Sequence, residues 1–413
     1  MSVRQVSDIA SIVMGQSPAG ETCNTIGAGL PLLNGPTEFG HRHPTPVQFT
    51  EDARKFAQTD DLLFCVRGST TGRMNWADQK YAIGRGIAAI RHNRGAELQP
   101  LLRAVIESQL PSLLQTATGS TFPNVSATQL AQLSYPDLTQ DVEIAIASLL
   151  GALEGKIAIN RRMNDTLESI VRTVFKDWFV DFGPTRAKAE GQASYLGADI
   201  WSLFPACFDA EGTPEGWYTV SIDQIARFLN GLALQKYPAK DDEAYLPVIK
   251  IAQLRAATVV NSDRASFDIP REYIVEDGDV LFSWSGSLLH RVWTSGRGAL
   301  NQHLFKVTSD KFPKWFYYYW IDQHMEDFRA IASSKATTMG HIQRHHLTQA
   351  MTIVPPEPVI NAANALISPL FERRIANDLE SRTLTQTRDL LLPKLMSGEI
   401  RISDAEKFVE NVS

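Results

Sequence analysis

The chain has 413 residues, of which 44% are hydrophobic and 21% are charged, and its formal net charge is −6. This composition is ordinary for a soluble protein of two to four domains. No run approaches the roughly 18 apolar residues of a transmembrane helix, and we expect no signal peptide from the first residues. The three cysteines, Cys23, Cys65 and Cys207, lack metal-ligand spacing. We therefore expect a reduced cytoplasmic protein with unpaired thiols.

The acidic charge lies outside two near-neutral regions of the sequence. Residues 1–138 hold 11 basic and 11 acidic side chains, and residues 216–356 hold 15 and 14. The segments 139–215 and 357–413 therefore carry the net negative charge. This balance does not by itself indicate nucleic-acid binding, and it does not exclude it.

The sequence contains an internal repeat, whose second copy follows the first after about 217 residues. The matching stretches are 9–15 with 225–231, 30–34 with 246–250, 61–64 with 279–282, and 82–90 with 299–307. A period of this length indicates two copies of a whole domain, since solenoid repeats are about 20 to 50 residues long. Glycines, prolines and apolar residues recur between the copies, whereas the polar residues differ. The repeat therefore predicts one scaffold that carries two different surfaces.

Each copy is predicted to be a mixed α and β domain. Apolar runs bounded by Gly, Pro and Asn predict strands at 30–33 and 61–66 in the first copy, and at 246–251 and 279–284 in the second. Residues 101–114 and 314–331 have the pattern of helices.

A long amphipathic helix is predicted after each copy. From Val142 to Trp178, and again from about Val359 to Leu395, apolar residues recur mostly at steps of three and four. A helix of about 40 residues is roughly 60 Å long, which exceeds one small domain. Two ordinary core helices are the alternative, but their length favours an antiparallel coiled coil. Gly183 and Pro184 are expected to stop the first helix.

These elements predict an α+β protein, in which two similar mixed α/β domains are separated by two long helices that form an antiparallel coiled coil, in a pseudo-two-fold arrangement. The predicted segments are a first domain at 1–138, a helical spacer at 139–190, a linker at 191–215, a second domain at 216–356 and a C-terminal helical spacer at 357–413.

Sequence motifs of common enzymes are absent. The chain has no GxxxxGK[ST], no GxSxG and no HExxH, and no GxGxxG stands between a strand and a helix. The tripeptide 181–183 matches a kinase motif but lacks its companions. His341 and His345 would suit zinc if that segment were helical, but no third ligand has matching spacing. We therefore predict a binding subunit without catalytic activity.

Four stretches of the sequence carry a family resemblance. They are Met-Gly-Gln-Ser-Pro at 14–18, Phe-Lys-Asp-Trp-Phe-Val-Asp-Phe at 175–182, Gly-Asp-Val-Leu-Phe-Ser at 278–283, and Leu-Leu-Pro-Lys-Leu-Met-Ser-Gly-Glu-Ile at 391–400. With these stretches in order along the whole chain, the sequence resembles the specificity subunit of type I restriction–modification enzymes.

The resemblance implies that each domain reads one half of a bipartite site in double-stranded DNA. It further implies that the helices set the half-site spacing and dock methyltransferase subunits, of which we expect two. Those subunits would bind S-adenosylmethionine, and separate restriction subunits would use ATP and Mg. The divergent polar residues of the two copies predict unlike half-sites. Near-neutral domains also suggest weak DNA binding without the partners.

Candidate DNA contacts are polar side chains near the repeated turns, although ordinary surface or loop roles are the alternative for each. Arg and Lys suit guanine edges or phosphates, and Gln and Asn suit adenine. In the first domain the candidates are Gln16, Ser17, Arg67, Ser69, Thr70, Arg73, Thr121 and Asn124. Their expected counterparts in the second domain are Gln235, Lys236, Lys250, Ser285, Ser287, Arg291, Lys335, Thr337, Thr338 and His341.

The apolar residues of the long helices have two possible roles. Those expected in the intramolecular seam are Leu153, Ile157, Leu167, Leu384 and Leu391. Those that either bind a partner subunit or pack in a core are Trp178, Phe179, Phe182 and Leu395.

Two rival functions are a protein scaffold without nucleic acid and a fused nuclease or methyltransferase. The scaffold does not explain the ordered motifs, and the fused enzyme lacks its catalytic ones.

Overall fold

The structure is a computed structural model that describes residues 4–117, 123–240, 244–334 and 340–410. The chain divides into two compact units. The first unit consists of residues 1–161 with 380–413, and the second consists of residues 162–379. The five segments predicted from the sequence separate domains from helices and a linker, whereas the two units group residues that contact each other. The predicted segment bounds therefore stay a prediction.

The elements of the first copy alternate short strands with short helices. The strands are β1 (Arg4–Gln5), β2 (Ala10–Met14), β3 (Cys23–Asn24), β4 (Leu30–Leu33), β5 (Gln48–Thr50), β6 (Phe56–Ala57), β7 (Leu62–Cys65), β8 (Met74–Trp76), β9 (Tyr81–Ile83), β10 (Ile87–His92) and β11 (Ser134–Tyr135). The helices are α1 (Val6–Ile9), α2 (Gln99–Ser108), α3 (Leu110–Thr116) and α4 (Ala127–Ala131). The helices that follow are the long α5 (Gln140–Phe175), a π-helical turn (Lys176–Val180), α6 (Gly183–Ala189) and α7 (Ala198–Ser202).

The second copy repeats this arrangement. Its strands are β12 (Tyr218–Ser221), β13 (Arg227–Asn230), β14 (Tyr245–Ile249), β15 (Arg264–Ser266), β16 (Ile274–Val275), β17 (Val280–Ser283), β18 (His290–Val292), β19 (Gly298–Leu300), β20 (Leu304–Thr308) and β21 (Met351–Val354). Its helices are α8 (Ile222–Ile225), α9 (Ile251–Ala256), α10 (Lys314–Ser334) and α11 (Arg344–Gln349). The chain continues with α12 (Glu357–Ser397) and α13 (Ile402–Glu410). Short 3-10 turns lie at Gly20–Thr22, Pro36–Glu38, Ala96–Leu98, Leu234–Lys236 and Arg271–Tyr273.

Two sheets form the core of the first unit. An antiparallel sheet has the order β2-β10-β7-β8, and a second sheet has the order β3-β5-β4-β9-β6, in which β4 and β9 are parallel. Successive side chains of a strand point to opposite faces. In β7, Leu62 and Phe64 therefore join the cluster of helix α2, while Leu63 and Cys65 join the cluster that contains Leu33 of β4.

Across its described ranges, the second unit repeats this strand order without an equivalent of β3. Its sheets are β13-β20-β17-β18 and β15-β14-β19-β16, and β14 and β19 form the parallel pair. The predicted duplication is thus confirmed in both sheets, and β3 is the one sheet strand of the first copy without a counterpart among the described residues. A repeated glycine shows why the sequence recurs: a Cβ at Gly15 would collide with the carbonyl oxygen of Gly84, and a Cβ at Gly231 would collide with that of Asn301.

The long helices pair antiparallel within each unit, as the sequence predicts. In the first unit, Leu153 and Ile157 of α5 pack with Leu384 of α12, and Asn160 Nδ2 donates to Glu380 Oε2 at 2.7 Å. The two helices run in opposite directions. Earlier residues of α5, such as Ile146 and Leu150, pack in one cluster with later residues of α12, namely Leu391, Leu392 and Leu395.

The second unit shows the same antiparallel pairing of its own helix segments. Asn164 Nδ2 donates to Asp378 Oδ1 at 2.8 Å and to the carbonyl of Arg374 at 3.1 Å. Further along α5, Glu168 forms an ion pair with the same Arg374. The predicted seam residues Leu153, Ile157, Leu384 and Leu391 are buried, whereas Leu167 is half-buried.

Three predicted boundaries differ from the structure for local reasons. Pro111 lies in the first turn of α3, so the helix predicted at 101–114 is split into α2 and α3. Gly183 and Pro184 begin α6 instead of simply stopping α5, which ends in the π-helical turn. Strand β14 ends at Ile249 because α9 begins at Ile251. Within the described parts of the chain, every helix is too short or too polar to cross a membrane.

Candidate functional site

Five loops of the first unit meet at one end of its two sheets. Backbone hydrogen bonds join them: Gly84 N to Leu33 O at 2.8 Å, Val66 N to Gly86 O at 2.9 Å, and Val125 N to Val66 O at 2.9 Å. We call the resulting surface the first loop surface. It consists of residues 15–18, 34–36, 66–73, 84–86 and 123–125.

The first loop surface is basic although the domain around it is near neutral. Its sequence includes Arg67, Arg73 and Arg85 and no Asp or Glu, and all three arginines are exposed. Arg67 Nε donates to Asn124 Oδ1 at 3.2 Å, and Arg73 Nη1 donates to the carbonyl of Pro36 at 3.4 Å. The surface can therefore attract an anion or bind hydrogen-bond acceptors through guanidinium groups.

The structure brings most of the first-domain candidates together on this surface. Gln16 and Ser69 are exposed. Ser17 Oγ accepts a hydrogen bond from Arg85 N at 3.2 Å, and half-buried Thr70 lies 3.8 Å from Cys65 Sγ through its hydroxyl oxygen. Thr121 lies outside the described residues.

The second unit builds the same backbone frame from different residues. Asn301 N donates to Ile249 O at 3.3 Å, Trp284 N to His303 O at 3.4 Å, and Ile342 N to Trp284 O at 2.9 Å. These bonds match, one for one, the three that join the loops of the first unit. We call this surface the second loop surface. It consists of residues 230–236, 250, 284–289, 301–303 and 340–344.

Trp284 lies at the centre of the second loop surface. Its indole N–H donates to Asn230 Oδ1 at 2.8 Å, and its ring centroid lies 5.6 Å from that of His303 and 6.4 Å from that of His341. A cavity of about 360 Å³ opens beside it, lined by Asn230, Trp284, Phe305, His341, Ile342, Gln343 and Arg344. An aromatic wall with polar groups at its rim can hold a flat or methyl-bearing group.

The second-domain candidates are distributed unevenly. Ser287, Gln235 and Lys236 are exposed, and the last two lie in the 3-10 turn Leu234–Lys236. Ser285 is buried, and its hydroxyl lies 3.1 Å from His303 Nδ1. The segment that contains Lys335, Thr337 and Thr338 is not among the described residues.

Gln235 and Lys236 are not the structural counterparts of Gln16 and Ser17. Gln16 N donates to Ile83 O at 2.9 Å, and the matching bond in the second unit comes from Leu232 N to Leu300 O at 3.0 Å. Leu232 therefore occupies the place of Gln16. The sequence comparison missed this because both segments contain a Gln shortly after the repeated glycine.

Lys250 and Arg291 make contacts within the second domain. Lys250 Nζ forms an ion pair with Asp263. Arg291 Nη1 donates to the carbonyls of Leu254 and Arg255, at 3.1 and 3.4 Å, at the C-terminal end of α9. A cation there stabilises the last carbonyls of the helix. These contacts favour the structural alternative for Arg291.

The histidine segment does not have the helical spacing that would suit zinc. Helix α11 begins at Arg344, so His341 precedes it and instead forms a bridge with Ser285. His346 lies in α11, and its Nδ1 accepts from Gln343 N at 2.8 Å. Over the described ranges, no three His, Cys, Asp or Glu side chains are grouped so that they could hold a metal ion.

Three residues of the loop surfaces, Arg85, Gln302 and His303, were not among the candidates predicted from the sequence. The strand pattern along the sequence does not reveal which turns lie side by side in the fold. Arg85 lies in the turn between β9 and β10, and Gln302 and His303 lie in the matching turn between β19 and β20. The alignment of 82–90 with 299–307 already placed these residues opposite each other. Only the hydrogen bonds to Gly86 and His303 show that both turns reach the loop surfaces.

The four residues considered for partner binding are buried. Trp178, Phe179 and Phe182 are 2, 0 and 9% exposed in the core of the second unit, and Leu395 is 2% exposed in that of the first. Their burial favours the core-packing alternative. Apolar side chains that do reach the surface of the long helices are Ile144, Ile159 and Leu390 in the first unit, and Met163, Ile170 and Leu366 in the second.

An ion pair joins the domain of each unit to its own segment of α5. In the first unit, fully buried Glu143 of α5 is held by Arg4 at 3.1 Å and by Arg94. In the second unit, Arg172 Nη1 of α5 lies 2.6 Å from Asp322 Oδ2 of α10. Such contacts fix the orientation of a domain on its helix segment.

Comparison with known proteins gives relatives of a single kind, although no protein-family model matches the chain. The chain is 21% identical to the type I restriction enzyme MjaIX specificity subunit of Methanocaldococcus jannaschii, over 97% of this chain and 94% of that protein. It is 22% identical to the HindI specificity subunit of Haemophilus influenzae, over 84% of this chain and 88% of that protein.

A solved structure shows the same fold. The crystal structure of a type I restriction–modification S subunit from M. genitalium matches with a TM-score of 0.54 and 14% identity, and the match covers 95% of both chains. This chain thus resembles the specificity subunits of type I restriction enzymes along nearly its whole length. The comparisons confirm the resemblance that the four sequence stretches indicate.

Proposed function

We propose that this chain, with its whole-length resemblance to type I specificity subunits, is the DNA-recognition subunit of a type I restriction–modification complex. In this proposal each domain reads one half of an asymmetric bipartite site through the DNA grooves. The chain contributes recognition and assembly, and the chemistry belongs to its partners.

One observation carries the proposal: matched backbone positions present unlike side chains. The bridge between Arg67 and Asn124 in the first unit corresponds to the bridge between Ser285 and His341 in the second. A shared frame suits docking on the same kind of duplex. Different donors and acceptors on that frame suit different base sequences, because base edges in the major groove are read by their pattern of donors and acceptors.

The long helices are proposed to set the half-site spacing and to dock two methyltransferase subunits. The exposed apolar residues on these helices support the docking role, because isolated apolar side chains on a helix surface can serve as anchors for a partner. S-adenosylmethionine would then be bound by the methyltransferase subunits, and ATP and Mg by the restriction subunits. These partners would also supply much of the phosphate contact.

The test is a comparison of methylated sites in the host genome with and without the gene for this chain. We expect one asymmetric bipartite motif with methylated adenine to disappear when the gene is deleted. Replacing residues 216–356 with those of a relative should then change only one half of that motif. A genome whose methylation is unaffected by the deletion, or a swap that alters both halves, would contradict the proposal.

A further inference from the structure

The two loop surfaces differ most at the positions where their backbone frames agree best. Arg67 and Ser285 each follow the residue that forms two of the matched hydrogen bonds, Val66 in the first unit and Trp284 in the second. Arg85 and Gln302 likewise each follow the residue whose N–H is bonded to the end of a parallel strand, β4 or β14. The main chain is therefore equivalent at both positions, and only the side chain changes.

A difference at equivalent positions indicates base reading. Phosphate contacts fix the register of a protein on the duplex and carry no sequence information. Two copies of one scaffold would need similar contacts to the same phosphate backbone, and different contacts to different bases. All three arginines of the first loop surface have uncharged counterparts in the second copy: Ser285 for Arg67, Gln302 for Arg85 and Leu289 for Arg73. Arg73 already donates to the carbonyl of Pro36, which leaves Arg67 and Arg85 as the candidates for base reading.

The geometry of Arg67 is that of an oriented guanidinium group. Its Nε–H donates to Asn124 Oδ1 at 3.2 Å, which fixes the plane of the group while the Nη groups make no hydrogen bond to another described residue. Its main chain is also held, because Val66 bonds to both neighbouring loops. An oriented planar fork suits two parallel acceptors, such as O6 and N7 of guanine. The fork also matches a phosphate, so the replacement of Arg67 at the equivalent position of the second copy is what favours a base over the shared phosphate backbone.

Arg85 is held differently but is equally accessible. It lies between Gly84 and Gly86, and a Cβ at either glycine would collide with Asn34. Its backbone N–H is bonded to Ser17 Oγ, while its exposed side chain has no partner among the described residues. The two glycines let the turn pack closely against Asn34 at the end of β4, which holds the main chain on both sides of Arg85.

We infer that Arg67 and Arg85 read guanine bases in the half-site of the first domain, whereas the second half-site is read without arginine at these two positions. This inference rests on the proposed function and deepens it. It assigns guanine to the first half-site, and it names Asn124 as the residue that positions Arg67.

The experiment uses the complex of this chain with its methyltransferase subunits and a library of duplexes randomised in both half-sites. We expect Arg67→Lys, which keeps the charge but loses the fork, to reduce the preference for one guanine of the first half-site by roughly tenfold or more. Arg85→Gln, which installs the residue of the second copy, should change the preference at another position from guanine towards adenine. The second half-site should be unchanged in both variants, which shows that the complex is folded.

Arg42→Lys is the matched control, because Arg42 is exposed in the same domain and lies outside the first loop surface. This substitution should leave both half-sites unchanged. Two outcomes would overturn the inference: an equal loss of affinity for all sequences, which indicates a phosphate contact, or an altered A·T position in the Arg67 variant. A wild-type complex that selects no bipartite motif would refute the proposed function itself, which separates the two failures.

Discussion

Glu143 and Arg4 form an ion pair at 3.1 Å in which the carboxylate is wholly buried and the guanidinium is about one-third exposed. Arg94 holds the other carboxylate oxygen, so that the first turn of α5 is tied both to β1 and to the turn that follows β10. Because the Glu143 side chain is inaccessible to solvent, water cannot take the place of Arg4 or Arg94 as its partner.

Neutralising this carboxylate should destabilise the first unit. We expect Glu143→Gln to lower the free energy of unfolding by about 3 kcal/mol, because removal of one partner leaves buried donors without their acceptor charge. Urea unfolding measures the change. Asp141→Asn is the control, since Asp141 lies in the same helical turn but is exposed. Equal stability of the two variants would show that the ion pair does not hold the domain to the helix.

The second unit should lose stability in mild acid through His290. Burial lowers the pKa of His290 to about 3, and the cations Arg172 and Arg329 act in the same direction. Asp322 lies 3.5 Å from the ring but does not raise the pKa of His290 above its usual value, because its carboxylate is already paired with Arg172.

The sign follows from the two protonation states. Below pH 6.5 the unfolded chain takes up a proton that the buried ring excludes, so stability falls as the pH decreases from about 6.5 towards 3. We expect His290→Phe, which keeps a ring against Tyr318, to flatten this part of the stability curve. Exposed His345→Phe should not alter it. A curve that stays equally steep in the His290 variant would refute the assignment.

Two glycine substitutions should have opposite effects. A Cβ at Gly15 would collide with the carbonyl oxygens of Gly84, Ile83 and Ile87, whereas nothing lies within 4 Å of a Cβ at Gly155 in helix α5. We expect Gly15→Ala to destabilise by about 1–3 kcal/mol through overpacking. Gly155→Ala should stabilise by about 1 kcal/mol through helix propensity. Thermal unfolding of the two variants checks both signs, and a stabilised Gly15 variant would mean that the loops separate easily.

Trp284 should control the second half-site alone. We expect Trp284→Ala to remove selectivity in that half-site, because the indole contacts the rings of both His303 and His341 and is fixed by Asn230. Trp284→Phe keeps the ring without the N–H and should retain part of the selectivity. Selection from a randomised library gives both half-sites in one measurement. Loss of the first half-site as well would indicate general unfolding.

An exposed apolar residue of α5 should contribute to methyltransferase docking. Ile170 is 44% exposed on the helix surface of the second unit. We expect Ile170→Glu to weaken binding of the methyltransferase subunit roughly tenfold, as for a residue that contributes about 1.4 kcal/mol to an interface. Titration of purified subunits measures this. Ile26→Glu is the control, because Ile26 is 86% exposed on a loop of the first domain. Equal affinities would place the docking surface elsewhere.

Regular elements could be predicted from the sequence because their signals are local. The continuous apolar run of β7, the apolar spacing of α5 and the recurrence of Gly15 as Gly231 each depend on nearby residues or on the repeat itself. The antiparallel pairing of the long helices followed from their length and narrow apolar stripes.

The assignment of surface residues was less successful because it depends on register. The hairpin of the second copy is two residues shorter: Cys65 N donates to Arg73 O, whereas Ser283 N donates to Leu289 O. Arg291 consequently occupies the position of Asn75, away from the turn that the sequence suggested. Trp284, in contrast, could have been predicted as a surface candidate from the sequence. It stands at the position of buried Val66 in the other copy, and a large aromatic residue with an N–H group is an unusual replacement for valine there.

The boundary between the units falls inside both long helices, and this affects the order in which a growing chain can complete its folding. The second unit is contiguous from residue 162 to residue 379, so all of it is synthesised before the last segment of the first unit exists. The hydrophobic core of the first unit is incomplete until Leu391, Leu392 and Leu395 have been synthesised. The domain that leaves the ribosome first is therefore the one that a late truncation damages.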